Sequence, residues 1–247
     1  MSVNAERAAI ITGHAGCIGE VIVKRLKKEG YFTIGIDRET AKCADINILF
    51  DLSELGRTES ARESLSIELA AQLSGYTLHV LVNNAALQVV SSVCDMGVGD
   101  YIRSIDVNLV APFVLSKMML DYLQMSHGSI INIGSVHADM TKPGFVAYAS
   151  SKAGLKGLTQ AMAVECGKTV RVNMIQPAAI ETPMLASGFD DPADKEKLAR
   201  YHPTETIGEA SEIARAVVFM VSEGRSFING AVLRLDGGIG VRLHDPV

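Results

Sequence analysis

Tyr148 and Lys152 stand four residues apart in the run Tyr-Ala-Ser-Ser-Lys. The residues around them, 147–163, are mostly good helix formers with no proline, so the segment reads as helix. Residues four apart lie one turn apart on one face, so the phenol and the ammonium can address the same spot. A phenol ordinarily loses its proton near pH 10. A cation ~4 Å away, at an effective dielectric of ~20, is worth about 4 kcal/mol, enough to lower that pKa by about three. On this reading Tyr148 is a proton donor and acceptor near neutral pH. A surface Tyr and Lys at helical spacing need do no chemistry, however, so the surrounding elements decide.

An apolar, β-branched run at 8–12 leads into a glycine-rich turn, Thr12-Gly13-His14-Ala15-Gly16-Cys17-Ile18-Gly19. A helical stretch at 18–29 and a second strand at 31–36 complete a strand–turn–helix–strand unit. Glycines in such a turn let the backbone approach a pyrophosphate, and the helix N-terminus adds free N–H groups and a positive dipole end. Gly13, Gly16, Cys17, Ile18 and Gly19 are therefore candidate cofactor contacts. Asp37 ends the second strand, 24 residues after Gly13. A carboxylate there accepts from both adenosine ribose hydroxyls and repels a 2′-phosphate, which favours NAD over NADP. Arg38 beside it is the counterweight, since a guanidinium pairs with a 2′-phosphate.

Further along, a strand at 46–50 is followed by an amphipathic helix at 58–73 with Ala61, Leu65, Leu69 and Leu73 on one face. A continuous apolar strand at 78–82 runs into Asn83-Asn84-Ala85-Ala86, whose amides are able to bridge strand ends. A long helix at 100–122 holds Asn108, with Pro112 as an internal interruption. A strand at 129–133 ends just before Ser135, and ligand crevices of open parallel sheets lie outside such strand ends. Next come the Tyr148 helix, a strand at 170–175 and a Pro177-to-Pro183 segment. Residues 184–203 are polar and irregular and read as a mobile lid, before a helix at 210–222 and a last strand at 231–235. Strands and helices alternate with no linker or repeat. This predicts one α/β domain over 1–247: a Rossmann-like, doubly wound parallel sheet of about seven strands flanked by helices.

Composition narrows the classes. With 247 residues, 48% of them hydrophobic, the chain suits one large domain. A net charge of −5 argues against nucleic acid as a partner. The apolar runs are too short for a bilayer, and the N-terminus has no signal-peptide pattern. Four dispersed cysteines read as reduced thiols of a cytoplasmic protein, and no histidine or cysteine spacing suggests a metal site.

The chain closely resembles the classical short-chain dehydrogenase/reductase family over nearly its whole length. The resemblance rests on Thr12 to Gly19, Asp51-Leu52, Asn83-Asn84-Ala85, Asn108 with Pro112-Phe113, Ser135, Tyr148 to Lys152, Asn173, Pro177 through Thr182 and Asp236-Gly237-Gly238. Ser135 stands 13 residues before Tyr148, as the family's catalytic serine does. The resemblance implies an NAD(H)-dependent oxidoreductase that interconverts a secondary alcohol and its ketone. Tyr148 would be the general acid or base. Lys152 would lower its pKa and hold the nicotinamide ribose, Ser135 would orient the substrate oxygen, and Asn108 would hold a water in a proton relay. Asp51 and Leu52 would line the adenine site, and Asn84 and Ala85 would contact the cofactor near its adenosine ribose. Beyond Pro177, Ile180 and Thr182 would hold the carboxamide. A small-molecule substrate and a homo-oligomer, a tetramer or dimer, are implied too.

Cys17, Ala86 and Ala178 replace family glycines. The spacing Gly13, Gly16, Gly19 looks like that of the extended branch with its epimerases and dehydratases. An epimerase or dehydratase with retained NAD, and a non-catalytic dinucleotide sensor, are the alternatives. The polar residues Gln88, His137, Asp139 and Lys142 suggest a small polar substrate, a sugar or hydroxy acid.

Overall fold

The structure is a computed structural model and describes residues 6–186, 191–222 and 227–243. Seven strands pair in parallel in the order β3-β2-β1-β4-β5-β6-β7. They are β1 (Glu6–Thr12), β2 (Phe32–Asp37), β3 (Ile46–Leu49), β4 (Tyr76–Asn83), β5 (Ser129–Ile133), β6 (Arg171–Pro177) and β7 (Val232–Leu235). Side chains alternate across a strand, so each face of the sheet needs cover. On one face Ala8 and Ile10 of β1 join Leu65, Leu69, Leu115 and Leu123. On the other, Ala9 and Ile11 join Ile22, Leu26, Ile213 and Val217.

The first of these layers holds α2 (Glu59–Gln72), α4 (Ala111–Met118), α5 (Leu120–Ser126) and the Tyr148 helix α6 (Val146–Cys166). The second holds α1 (Cys17–Lys28) and α9 (Ala210–Val221). The predicted doubly wound sheet is thus the observed one, with strand order reversing between β1 and β4, where ligands of such sheets bind.

Two segments differ from expectation. The helix read over 100–122 is α3 (Val98–Ile105), a π turn (Asp106–Val110), then α4 and α5. Pro112 has no N–H to give the carbonyl of Asn108 four residues back, and the wider turn absorbs that missing bond. The stretch read as an irregular lid contains α7 (Pro183–Ala186) and α8 (Pro192–Tyr201). Asp191 caps α8 by accepting from the Ala193 N–H at 2.8 Å, with proline at the first helical position. Residues 187–190 of that expectation lie outside the described residues.

Candidate active site

The crevice is built at the carboxyl ends of β1, β4, β5 and β6. On one side, Gly13 holds φ 66° and packs against β4: a Cβ there would stand 2.8 Å from Ala85 Cα. A Cβ on Gly19 would stand 2.0 Å from the Gly13 carbonyl oxygen, so α1 approaches the turn as closely as backbone allows. Gly16 is the N-cap of α1 and no side chain caps it. The first-turn N–H groups, from Cys17, Ile18 and Gly19, therefore face the crevice end of the helix without an intrahelical acceptor.

Asn84 and Thr12 lock this turn. The Asn84 amide donates to the carbonyls of Thr12 (3.0 Å) and Gly13 (3.1 Å), and Thr12 Oγ1 accepts from the N–H groups of Asn84 and Ala85. Asn83 bridges strand ends as expected, donating to Asn132 Oδ1 at 2.8 Å. Asp37 closes the rim: its carboxylate accepts from the N–H groups of Ala15 (3.0 Å) and Arg38 (2.7 Å). Burial raises the Asp51 carboxyl, yet hydrogen bonds from Ser53 and the charges of Arg103 and Arg38 prevail and hold it below the usual carboxylate range. Leu52 is buried beside it. Across the crevice the Cys17 thiol reaches toward the Glu181 carbonyl at 3.8 Å. Ile180 is buried and bridges Gly208, and Thr182 Oγ1 accepts from the Leu185 N–H.

On the chemical side, Ser135, Tyr148 and Lys152 come together as the sequence predicts. Ser135 is buried just past β5, and its side chain stands close enough to the Tyr148 hydroxyl to pull the phenol's pKa down. Lys152 is 2% exposed and its Nζ lies 5.5 Å from the Tyr148 ring centroid. The expected effect of that lysine on the phenol is corrected by the geometry. Its ammonium donates to the Ile133 carbonyl at 2.8 Å instead of standing at the phenol oxygen. Burial then dominates: it pushes Tyr148 up to about 12, against a smaller downward pull from Ser135, and pushes Lys152 down to about 8.

Asn108, fully buried in the π turn, acts as a clamp. Its Oδ1 accepts from the Leu87 N–H at 2.7 Å, and its Nδ2 donates to the Leu87 carbonyl (2.8 Å) and to Ser151 Oγ (2.9 Å). Ser151 Oγ in turn donates to the Tyr148 carbonyl at 2.7 Å. The chain segment after β4 is thereby tied to the turn of α6 that carries the tyrosine.

Two features escaped the sequence reading. His14 folds inward at 0% exposure, its Nε2 2.7 Å from Asn47 Oδ1 on β3. A Cβ on Gly35 of β2 would stand 2.3 Å from its ring, so the glycine is the seat of the imidazole. A lone glycine inside the apolar strand Phe-Thr-Ile-Gly-Ile-Asp was the available signal of close approach. The second is the bonding of Asp139, one of the polar residues from which the sequence suggests a polar substrate. Asp139 accepts from Lys156 (2.6 Å), Gln176 (2.8 Å) and Arg234 (2.9 Å), which hold its carboxyl down to about 2. It fastens the loop after Ser135 to α6, β6 and β7.

Comparison with known proteins agrees with this geometry. A family model described as Enoyl-(Acyl carrier protein) reductase matches residues 13–240. The chain is 30% identical over 244 residues to glucose 1-dehydrogenase 2 of Bacillus subtilis (strain 168), with 94% of each chain covered. The ligand-free aldohexose dehydrogenase of Thermoplasma acidophilum superposes with a TM-score of 0.90 at 29% identity, covering 100% of this chain and 98% of that one. A 4-hydroxyisoleucine dehydrogenase complexed with NADH gives 0.86 at 28% identity, over 96% and 100% of the two chains.

The fold and these comparisons together define an oxidoreductase acting on hydroxyl groups. The chain belongs to the short-chain dehydrogenase/reductase family. Among the solved relatives, the 4-hydroxyisoleucine dehydrogenase is described with NADH and a gluconate 5-dehydrogenase from Beutenbergia cavernae with NADP. No described helix is long and apolar enough to cross a membrane, and no metal-binding cluster is found among the described residues.

Proposed function

We propose that this protein interconverts a secondary alcohol and its ketone with NAD as hydride partner, on a small polar substrate, a sugar or hydroxy acid. The observation that carries the reading is Ser135 against Tyr148, with Lys152 one helical turn away, at the end of β5. The residues on the other side fit a dinucleotide: Gly13 and Gly19 have no room for a Cβ, and α1 presents uncapped N–H groups suited to a diphosphate. Gly16, Cys17, Ile18, Asp37, Asp51, Leu52, Asn84, Ala85, Pro177, Ile180 and Thr182 complete that lining. Asp37 at the rim favours NAD, with Arg38 as the opposing group.

A bound nicotinamide supplies or accepts the hydride. Within the protein, Ser135 donates to the substrate oxygen and Tyr148 gives or takes its proton. The phenol is held protonated by burial, so it begins as the acid in the reducing direction. Lys152, with a pKa of about 8, is poised to return the proton near neutral pH. Asn108, fully buried beside α6, is the residue that would hold a relay water leading from Lys152.

Tyr148→Phe tests the reading: turnover falls by about 10²- to 10⁴-fold. Normal turnover in that variant removes the tyrosine from the chemistry. Calorimetric titration with NAD and NADP tests Asp37, and tighter NADP binding assigns the rim to Arg38 instead. A homo-oligomer, a tetramer or dimer, belongs to the same reading. Ala153 and Gly157 of α6 are exposed, and a Cβ on Gly157 would meet nothing within 4 Å. The face of α6 that carries Ala153 and Gly157 is therefore open to a second subunit.

A further inference from the structure

The loop from Ser135 to Tyr148 carries a fixed platform with a cation on it. His137 stacks on Phe145 at 4.4 Å and 8°, and both rings stand edge-on to Tyr148, at 5.7 and 6.4 Å. The platform is pinned at both ends. His137 Nδ1 is 2.9 Å from Thr141 Oγ1, and the Gly144 carbonyl accepts from the Ser91 N–H at 2.9 Å, where Ser91 bridges Phe145. The Lys142 ammonium rests 4.9 Å from the Phe145 centroid.

Three cations gather on this side of the site, and they differ in their partners. Lys156 and Arg234 are both taken by the Asp139 carboxylate, at 2.6 and 2.9 Å. Lys142 forms no ion pair with any carboxylate among the described residues. The neighbouring imidazole adds no competing charge, because burial and the Lys142 charge together push His137 down to about 4. Among the described residues Lys142 is thus a cation without a carboxylate partner, on a preorganised support whose rings stand against the tyrosine.

We propose that Lys142 selects a carboxylate-bearing substrate: a hydroxy acid whose carbinol lies against Ser135 and Tyr148 and whose carboxylate meets the Lys142 ammonium. This rests on the oxidoreductase reading above and names its substrate class. The ammonium lies 4.9 Å from the Phe145 centroid and that centroid 6.4 Å from the Tyr148 ring, which bounds the reach from above. At about 1.5 Å per bond, a chain of roughly four to six carbons spans it. Lys142 is exposed, so it acts on a rim where charge governs selection between substrates more than overall affinity.

The experiment is a steady-state comparison of matched pairs with saturating NAD: four- to six-carbon sugar acids, gluconate among them, against the alditols of equal length. The wild type has the higher kcat/KM for the acid of at least one pair. In Lys142→Gln the acid-to-alditol ratio of kcat/KM falls by about 2- to 5-fold, mainly through the acid's KM, as expected for an exposed ion pair. Lys142→Arg restores the ratio, and added salt lowers it in the wild type but not in Lys142→Gln. A ratio unchanged in Lys142→Gln, with alditols still oxidised, overturns the role of Lys142 and leaves the oxidoreductase reading standing. No oxidation of any acid, alditol or other secondary alcohol by cofactor-bound protein overturns both.

Discussion

Replacing Lys152 with methionine should stabilise the cofactor-free protein while abolishing its turnover. Lys152 is 2% exposed and makes one hydrogen bond, to the Ile133 carbonyl. Its pKa is about 8 when folded against the ordinary 10.5. At pH 7 the lysine is charged in both states, so the folded protein carries the whole cost of burying the ammonium. That difference amounts to about 3 kcal/mol at 1.36 kcal/mol per unit of pKa. As pH rises through 8 the folded-state lysine loses its proton and the cost is relieved, until the unfolded chain also deprotonates near 10.5. Wild-type stability at this site therefore rises with pH across that window. Methionine fills similar space without charge, but leaves the Ile133 carbonyl without its donor, a loss of about 1 kcal/mol. The net gain at pH 7 is about 2 kcal/mol, or roughly 4–8 °C in Tm for a chain of this size. Thermal melts by circular dichroism at pH 7 and pH 9.5, at equal protein concentration, give the answer. A Lys152→Met melt at or below wild type at pH 7 refutes the burial reasoning. So does a gap between the two proteins that fails to narrow by pH 9.5.

Asp139→Asn removes the carboxylate shared by Lys156 and Arg234 and lowers stability at pH 7 by about 1 kcal/mol, since its pKa sits at about 2 against 3.8 but its exposed position screens these charges. This contribution exists above pH 3.8 and fades as pH falls toward 2, so urea melts of variant and wild type should converge in acid. Gly35→Ala drives a methyl into the His14 ring and lowers stability by roughly 1–3 kcal/mol. His14→Ala in the same chain should recover part of that loss, and additive effects in the double-mutant cycle would contradict the packing described. Asn108→Ala orphans the Leu87 N–H and carbonyl and should cost about 2–3 kcal/mol in chemical unfolding, together with a fall in kcat.

The elements that position this site were legible because each carries a local signal. Apolar runs marked every strand, the glycine turn marked the join of β1 to α1, and Ser135 fell just beyond an apolar strand. The α8 helix was missed although Asp191-Pro192 is a sound helix start, because its charged sequence has little apolar periodicity. What remained hidden depends on partners far apart in sequence. The direction of the Lys152 ammonium is set by the end of β5, 19 residues earlier. Asp139 finds its donors on α6, β6 and β7, up to 95 residues away. The inward turn of His14 requires β2 and β3 already to be paired. Spacing placed Tyr148 and Lys152 on one face of a helix, but only the packed sheet determines what each polar tip sees.

The seating of His14 on Gly35 bears on any attempt to change coenzyme preference. Gly35 lies two residues before Asp37, and Asp37 also holds the Ala15 N–H of the same turn. The glycine turn, the second strand and the carboxylate at its tip are therefore one interlocking part. A transplanted turn without a histidine at position 14 would leave a hole over Gly35. A relative's second strand, with a side chain at that position, would collide with the imidazole. A coenzyme switch in this protein calls for exchanging residues 12–37 as a block, and Asp37→Ser made alone would loosen the turn it was meant only to re-address.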